Sequence, residues 1–447
     1  MMLHKNDAKL NNTKLKIVAS TKDSRFCGGL ARPVIVEAGV FFEGYDSSNR
    51  QSLFQEKNTE IKEIIQAGIG VLKGYASITD YVLFENTSIS LSVQRSSGDG
   101  AIFTSLKEGK DFQLTVQSGM YIPSENNETN TFGTLGSPRT SETSHMVFGG
   151  LNCTNQECEK KSKLSGLYLT RASTDSDLPT IIMTVVSSNV KNPSYPSSGM
   201  REFDMFGGAA VRNSLVSFFG TSSSSNEASS NGYLELTPNG RVDHSSANII
   251  DGKNDVASPG IFIVRLDDSL RHIEIVADSS TPWISPSNQN DHHMIAFSDP
   301  IIGQNGEGEN DYEIVFVAQS NQGVYGIFSY LTSTKSLHLV ADTNNTEYFE
   351  FPFLPSLVSG RLMFQAVTKN QEPALFVRGT DSPLERVISL SDLHVSNDTT
   401  PFVYMLFTQG GHDGCGNAVL YASSQQADYI LQLSSLLSPF HSSSLCL

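Results

Sequence analysis

The segment "GQNGEGENDYE", 303 to 313, sets Asn305, Glu307, Glu309 and Asp311 at alternate positions with Gly306, Gly308 and Asn310 between them. Alternation places side-chain oxygens on one side of a turn, which is what a calcium loop requires, although such loops favour Asp and Asn over the longer Glu. These four are the candidate Ca2+ ligands; the competing reading is a solvated hairpin tip. A second cluster, "GGHDGCGNA" at 410 to 418, gathers His412, Asp413 and Cys415. An imidazole beside a thiol has the chemistry of a base and a nucleophile, yet such pairs normally come from distant parts of a chain. A Gly-rich hairpin loop is the simpler expectation. His292 and His293 stand before a strand with no Glu between them, so they make no metalloprotease motif; alternation along the strand puts one imidazole out and one in. Cys153 and Cys158 bracket "TNQE", a loop that one disulfide would close in an oxidising compartment. Two free thiols are the alternative.

Other chemistry is excluded by spacing. The five cysteines, Cys27, Cys153, Cys158, Cys415 and Cys446, form no Cys-x-x-Cys pair and no His/Cys spacing that wraps zinc. There is no Gly-x-Ser-x-Gly elbow, no phosphate-binding glycine loop and no dinucleotide fingerprint, so no catalytic residue and no organic cofactor site can be named. Carboxylates converging from several repeats around a central channel stay open as a glycosidase arrangement, because one sequence does not display such convergence.

The elements that must position these residues are strands. Short runs of β-branched and aromatic residues, bounded by Gly, Asn, Asp, Ser and Pro, recur from about residue 14 to 435, and long 3.6-period stripes are nearly absent. A small residue, an aliphatic and an aromatic end at Phe54, Phe103, Tyr168, Phe262, Phe328, Phe376 and Tyr421, spaced 49, 65, 94, 66, 48 and 45 apart. Before each lies an apolar strand: "GVFFEG", "YVLFEN", "HMVFGG", "LVSFFG", "EIVFVA", "RLMFQA" and "VYMLFT". After each lies another, including "IEIVADSST" at 273 and "LHLVADTNN" at 337, whose Val-Ala-Asp copies sit 64 residues apart. Segments that begin with an aromatic and pass through small residues, such as "FCGGLARP" and "YASITD", supply a fourth, innermost strand.

Such a unit cannot bury its faces alone, so units must stack. The expectation is an all-β fold, a single β-propeller of seven blades; six or eight blades, or a linear β-solenoid, are the alternatives. "LKIVAST", at 15 to 21, repeats the phrase that ends each unit before any unit has begun, which predicts an N-terminal strand closing the last blade. The expected organisation is a disordered segment over 1–13, a propeller over 14–437 with repeats near 24–69, 70–119, 120–188, 189–279, 280–344, 345–391 and 392–437, and a tail over 438–447.

"HHMIAFSD" at 292, "GVYGIFSY" at 323, "LHLVADTNN" at 337 and "PSLVSGRLMFQA" at 355 resemble the repeats of bacterial tandem-repeat proteins that carry an Asn-x-x-Gly-x-Val-Ala-Phe strand, a Gly-Ile-Tyr/Phe strand and a Val-Ala-Asp-Thr-like strand. The resemblance covers about residues 260–380. It implies a secreted or surface-associated repeat protein and carries over no catalytic residue.

Aliphatic and aromatic residues make up 38% of the 447 residues and charged residues 17%, a balance suited to a β-rich globular chain. A net charge of −16, with no basic stretch to offset it, argues against nucleic acid as a partner. No apolar run reaches the length of a membrane span, and the N-terminus shows no apolar signal-peptide core. Three functions follow as expectations. The first is a non-enzymatic propeller, secreted or at the cell surface, presenting loops to a protein or glycan partner. The others are a propeller glycoside hydrolase or lyase using channel carboxylates, and a purely structural surface protein.

Overall fold

The structure is a computed structural model describing residues 14–434 apart from 84–87, 106–108, 124–129, 141–144, 153–164, 172–181, 189, 195–201, 223–258, 268–271, 285–291, 306–310, 345–346, 380–382, 395–399 and 408. The segments expected as disordered over 1–13 and as a tail over 438–447 lie outside the described residues.

Strand β1 (Lys14–Ser20) begins the described chain. Six sheets then follow in order. The first holds β2 (Gly29–Val36), β3 (Gly39–Tyr45), β4 (Gln51–Lys57) and β5 (Glu60–Gln66). The second holds β6 (Ser77–Leu83), β7 (Ile89–Gln94), β8 (Gly100–Ser105) and β9 (Gln113–Gln117). In the third, β10 (Thr134–Leu135) and β11 (Arg139–Thr140) share one edge of β12 (His145–Leu151), followed by β13 (Ser165–Arg171) and β14 (Ile182–Ser187). The fourth is β15 (Met205–Arg212), β16 (Leu215–Thr221), β17 (Gly260–Arg265) and β18 (Ile273–Asp278). In the fifth, β19 (Met294–Phe297) and β20 (Ile301–Gln304) both pair with β21 (Tyr312–Ser320), and β22 (Tyr325–Leu331) and β23 (Ser336–Asp342) complete it. The sixth repeats that pattern with β24 (Tyr348–Glu350), β25 (Ser356–Val358), β26 (Arg361–Thr368), β27 (Pro373–Arg378) and β28 (Glu385–Ser389).

The seventh sheet is built from both ends of the chain, in the order β29 (Phe402–Leu406), β30 (Ala418–Ser424), β31 (Asp428–Ser434) and then β1. Lys14 lies opposite Ser434 and Ser20 opposite Tyr429, so β1 takes the outermost place, as expected from its sequence. The chain is a seven-bladed β-propeller with N-terminal strand closure. Among the described residues, helix is limited to three-residue 3-10 turns.

The recurring aromatic phrase has a packing reason. In most sheets an aromatic on the second strand stacks on its register partner on the third: Phe42 on Phe54, Phe218 on Phe262, Phe316 on Phe328 and Phe364 on Phe376, with centroids 5.6 to 5.9 Å apart. An aromatic from the approach to the sheet, or in the sixth sheet from the start of its first strand, then meets the third-strand ring edge-on. Phe26, Tyr75, Phe132, Phe203, Trp283 and Tyr348 do so at 4.9 to 5.5 Å and interplanar angles of 81 to 87°. Edge-to-face pairs of this kind are worth about 0.5–1.5 kcal/mol beyond burial. The incoming ring needs space, and a glycine two residues past the second-strand aromatic provides it: a Cβ on Gly44 would lie 2.9 Å from Phe26, and one on Gly150 would lie 2.6 Å from Phe132.

The Val-Ala-Asp phrase is explained by register. The pairing of third and fourth strands slips at one place in all of the first six sheets, so that Phe262 faces Ile275 while Ile261 faces Ala277, and Phe328 faces Leu339 while Ile327 faces Ala341. Val276 and Val340 are the extra residues of β-bulges, which sharpen the local twist. β1 slips at the same point, between Ile17 and Ala19.

Two strand assignments differ from expectation. Tyr81 to Leu83 of "YVLFEN" end the first strand, β6, and the second strand is β7, "ISLSVQ". Its serines read as polar, yet Ser90 and Ser92 are buried because their hydroxyls bond Thr104 at 3.1 Å and Thr79 at 3.0 Å. In the seventh sheet "VYMLFT" is the first strand and "VLY" the second, one place earlier than elsewhere, since β1 fills the outermost position.

By contact density the chain divides into two compact units, one holding the first, sixth and seventh sheets and the other centred on the second to fifth. In the first unit, Phe26, Phe42 and Phe54 pack with Val18, Val419 and Ile430, so the closing strand shares a core with the first sheet. In the second, Phe203, Phe218 and Phe262 pack with Val147, Leu167 and Val186 of the third sheet.

Candidate functional site

The residues singled out by type divide sharply. Asn305 follows β20 and Asp311 precedes β21, while Glu307 and Glu309 lie outside the described residues, as do Cys153 and Cys158. Among the described residues no group of three or more His, Cys, Asp and Glu is placed to hold a metal. His293 is exposed and its ring lies 3.2 Å from Asn321 Nδ2; His292 is half-buried, so neither imidazole reaches the core.

The His412 cluster is a structural clasp. The buried ring accepts from the Ser356 hydroxyl at Nδ1 (2.9 Å) and donates from Nε2 to the Arg361 carbonyl (3.1 Å). Ser356 Oγ in turn accepts the Gly410 N–H at 3.1 Å, and the Gly410 carbonyl accepts from Ile35 N–H at 3.0 Å. One loop thus joins the sixth, seventh and first sheets within their unit. The simpler expectation of a Gly-rich loop agrees with the Cys415 sulfur being in a disulfide, so it supplies no thiolate for the alternative, nucleophilic reading. Asp413 is occupied as a turn former, accepting from Cys415 N–H at 2.7 Å and Asn417 N–H at 3.1 Å.

Buried carboxylates are likewise engaged by neighbouring groups, within one sheet or between sheets of the same unit. Glu43 accepts from Gln51 Nε2 at 2.8 Å and from the Tyr45 hydroxyl at 3.2 Å, with Arg32 Nε 3.4 Å away. Burial, reinforced by the Glu43 charge, pushes the Tyr45 phenol up to about 12, opposite to what a proton-abstracting tyrosine needs. Glu56 pairs with Lys16 at 2.9 Å, Glu313 accepts from Ser329, and Asp299 accepts the Gly208 N–H at 2.6 Å. Asp278 accepts from the N–H and hydroxyl of Ser280, which makes it a turn former at the end of β18.

A different group forms a cleft of about 300 Å³ in the second unit, where the second sheet meets the crossover into the third. Tyr75, Arg95, Asp99, Gln117, Thr131 and Asn152 are among its walls. Antiparallel order brings these together: the β7–β8 turn, the end of β9 and the approach to β6 all lie at one end of the sheet. Ser118 fixes the floor, its hydroxyl accepting Gly100 N–H at 3.0 Å and donating to the Gly133 carbonyl at 2.9 Å.

Among the described residues, the β7–β8 turn is one of four with the same hydrogen bonds. Arg95 N–H donates to the Asp99 carbonyl and Gly98 N–H to the Arg95 carbonyl, both at 2.9 Å, with Gly98 at φ +92°. Equivalent bonds close Asp46–Arg50, Ser320–Val324 and Thr368–Glu372, with Asn49, Gly323 and Gln371 at positive φ. The first residue of such a turn is suited to a short oxygen-bearing side chain that bonds the turn's own N–H groups. Asp46 accepts from Ser48 N–H at 2.8 Å, and Ser320 from Val324 N–H at 3.1 Å. Arginine offers no acceptor there. Arg95 instead lies over the Tyr75 ring, 4.9 Å from its centroid. In the first sheet the charges are reversed and joined, Asp46 to Arg50 at 2.6 Å. The signal for this site was present in the sequence as "QRSSGDG" against "YDSSNRQ", but it acquires meaning only once both are known to be the same turn.

No protein-family model matches the chain, and no curated protein matches it in sequence. Among solved structures it is similar to a puromycin-hydrolyzing peptidase of Mycobacterium tuberculosis, at 10% identity and TM-score 0.44 over 88% of this chain; the chain spans 48% of that one. It is also similar to an oligogalacturonate lyase from Vibrio parahaemolyticus, at 10% identity and TM-score 0.45 over 95% of this chain and 94% of that one. The polysaccharide lyase Uly1 matches at 9% identity and TM-score 0.46 over 91% and 89%. None of these likenesses bears on activity. Among the described residues, no helix is long and apolar enough to cross a membrane.

Proposed function

We propose that the chain is a propeller scaffold for binding, presenting sheet-end turns and crossovers to a protein or glycan partner. The observation that carries this reading is Arg95. It departs from the residue type its turn favours, and local rules are broken most often where function requires it. Buried carboxylates that a hydrolase or lyase would use are engaged by neighbouring donors, Glu43 by Gln51, Glu56 by Lys16 and Asp299 by the Gly208 N–H. A glycan array combined with assays for new reducing or unsaturated ends tests the reading. Retention of ligands without turnover is the expected outcome, and cleavage of any polysaccharide overturns it.

The Cys415 disulfide supports a secreted or surface setting, since disulfides persist in oxidising compartments. The resemblance of residues 260–380 to secreted tandem-repeat proteins supports it too. Thiol alkylation of the protein in its native setting is expected to leave Cys415 unmodified; an alkylated Cys415 contradicts the assignment.

A further inference from the structure

We propose that the cleft beside Arg95 binds an uncharged saccharide, an assignment that rests on the binding reading above. Its polar groups are complementary to hydroxyls. Arg95 donates, Asp99 accepts, and Gln117 and Thr131 can each do both. Among the described residues, the side chains of Arg95, Gln117 and Thr131 make no hydrogen bond, and Asp99 uses one carboxylate oxygen to accept from Ser97 Oγ at 2.8 Å. A sugar hydroxyl both donates and accepts, so adjacent hydroxyls match a wall that alternates the two roles.

Charge selects against the main alternative. Arg95 and Asp99 together are neutral, and the chain carries −16 overall, so a uronate or other acidic polymer meets no net attraction here. Apolar ligands are disfavoured because Tyr75 is covered by the guanidinium and nearly all of its own surface is buried. The stack on Tyr75 also holds Arg95 flat and limits the side-chain freedom lost on binding. The volume, at the lower end for small-ligand sites, suits a terminal sugar rather than a folded segment.

The test is titration of the full chain, by calorimetry and by NMR shifts, with methyl glycosides of glucose, galactose, mannose and fucose, and with methyl galacturonate as the acidic comparator. Two variants are measured beside the parent: Arg95→Ser, which installs the residue type that closes the fifth-sheet turn, and Asp99→Asn. Gln322→Ala, in that fifth-sheet turn, is the control. Saturable binding of at least one neutral glycoside, weakened about tenfold or more by Arg95→Ser and unchanged by Gln322→Ala, is the expected result. Melting temperatures of all variants close to the parent's show that loss of binding is not loss of fold. Preference for the galacturonate, or neutral binding untouched by both cleft variants, overturns the saccharide assignment while leaving a binding function in place. Silence from every glycoside overturns it as well, and silence of the whole glycan array together with absence of any protein partner removes the binding reading too.

Discussion

His412 shows how far residue type alone misleads. Next to Asp413 and Cys415 it looks like a catalytic imidazole; folded, it is a neutral, buried bridge whose two nitrogens are both occupied. Burial pushes its pKa down to about 4, with Arg361 lowering it further and the Arg361 carbonyl and Asp413 opposing. The sign of the consequence is fixed. The unfolded chain takes up this proton near pH 6.5 and the folded chain only near pH 4, so the stability present above the unfolded value is lost as pH falls between the two. The loss amounts to about 3 kcal/mol. Urea unfolding of the parent and of His412→Gln, compared from about pH 7 to about pH 4, is expected to show a steeper acid loss in the parent by that amount. Equal slopes contradict the assignment. The sequence displayed the imidazole but not Ser356 or Arg361, which reach it only through the fold, and Cys415 gave no hint of being in a disulfide.

At the scale of the element, the strand phrases were legible because each encodes a steric requirement. The aromatic of "GIF" or "GLY" is the stacked ring, the glycine of "FFEG" or "HMVFGG" makes room for the edge-on ring, and the Val of Val-Ala-Asp is the bulge. Strand β7 was missed because Ser90 and Ser92 satisfy their hydroxyls across strands and are buried like apolar residues. The adjacent glycines of β12 differ in steric need. A Cβ on Gly149 meets nothing within 4 Å, whereas one on Gly150 lies 2.6 Å from Phe132 and 2.9 Å from Tyr168. Gly150→Ala is therefore expected to lower stability by about 1–3 kcal/mol, and Gly149→Ala to leave it nearly unchanged, as read from urea midpoints. Comparable losses at both positions would show that ring clearance is not what selects the glycine.

At the scale of the whole molecule, repetition made the blade count readable, and one orphan phrase at the N-terminus made the closure readable. The cleft was not readable, because its walls come from separate turns whose equivalence depends on the four-stranded unit. The seven-sheet fold depends on β1 completing the last sheet, and that pairing is directly measurable. Lys16 lies opposite Gln432, and both are half-exposed, so cysteines placed there are within reach of one disulfide. Lys16→Cys with Gln432→Cys, in a background with the native Cys27 replaced by Ser, is predicted to form an intramolecular cross-link that joins the peptides around residues 16 and 432 in a non-reducing digest. Recovery of those two peptides uncross-linked, or cross-linked only between separate chains, would contradict closure of the propeller by its N-terminal strand.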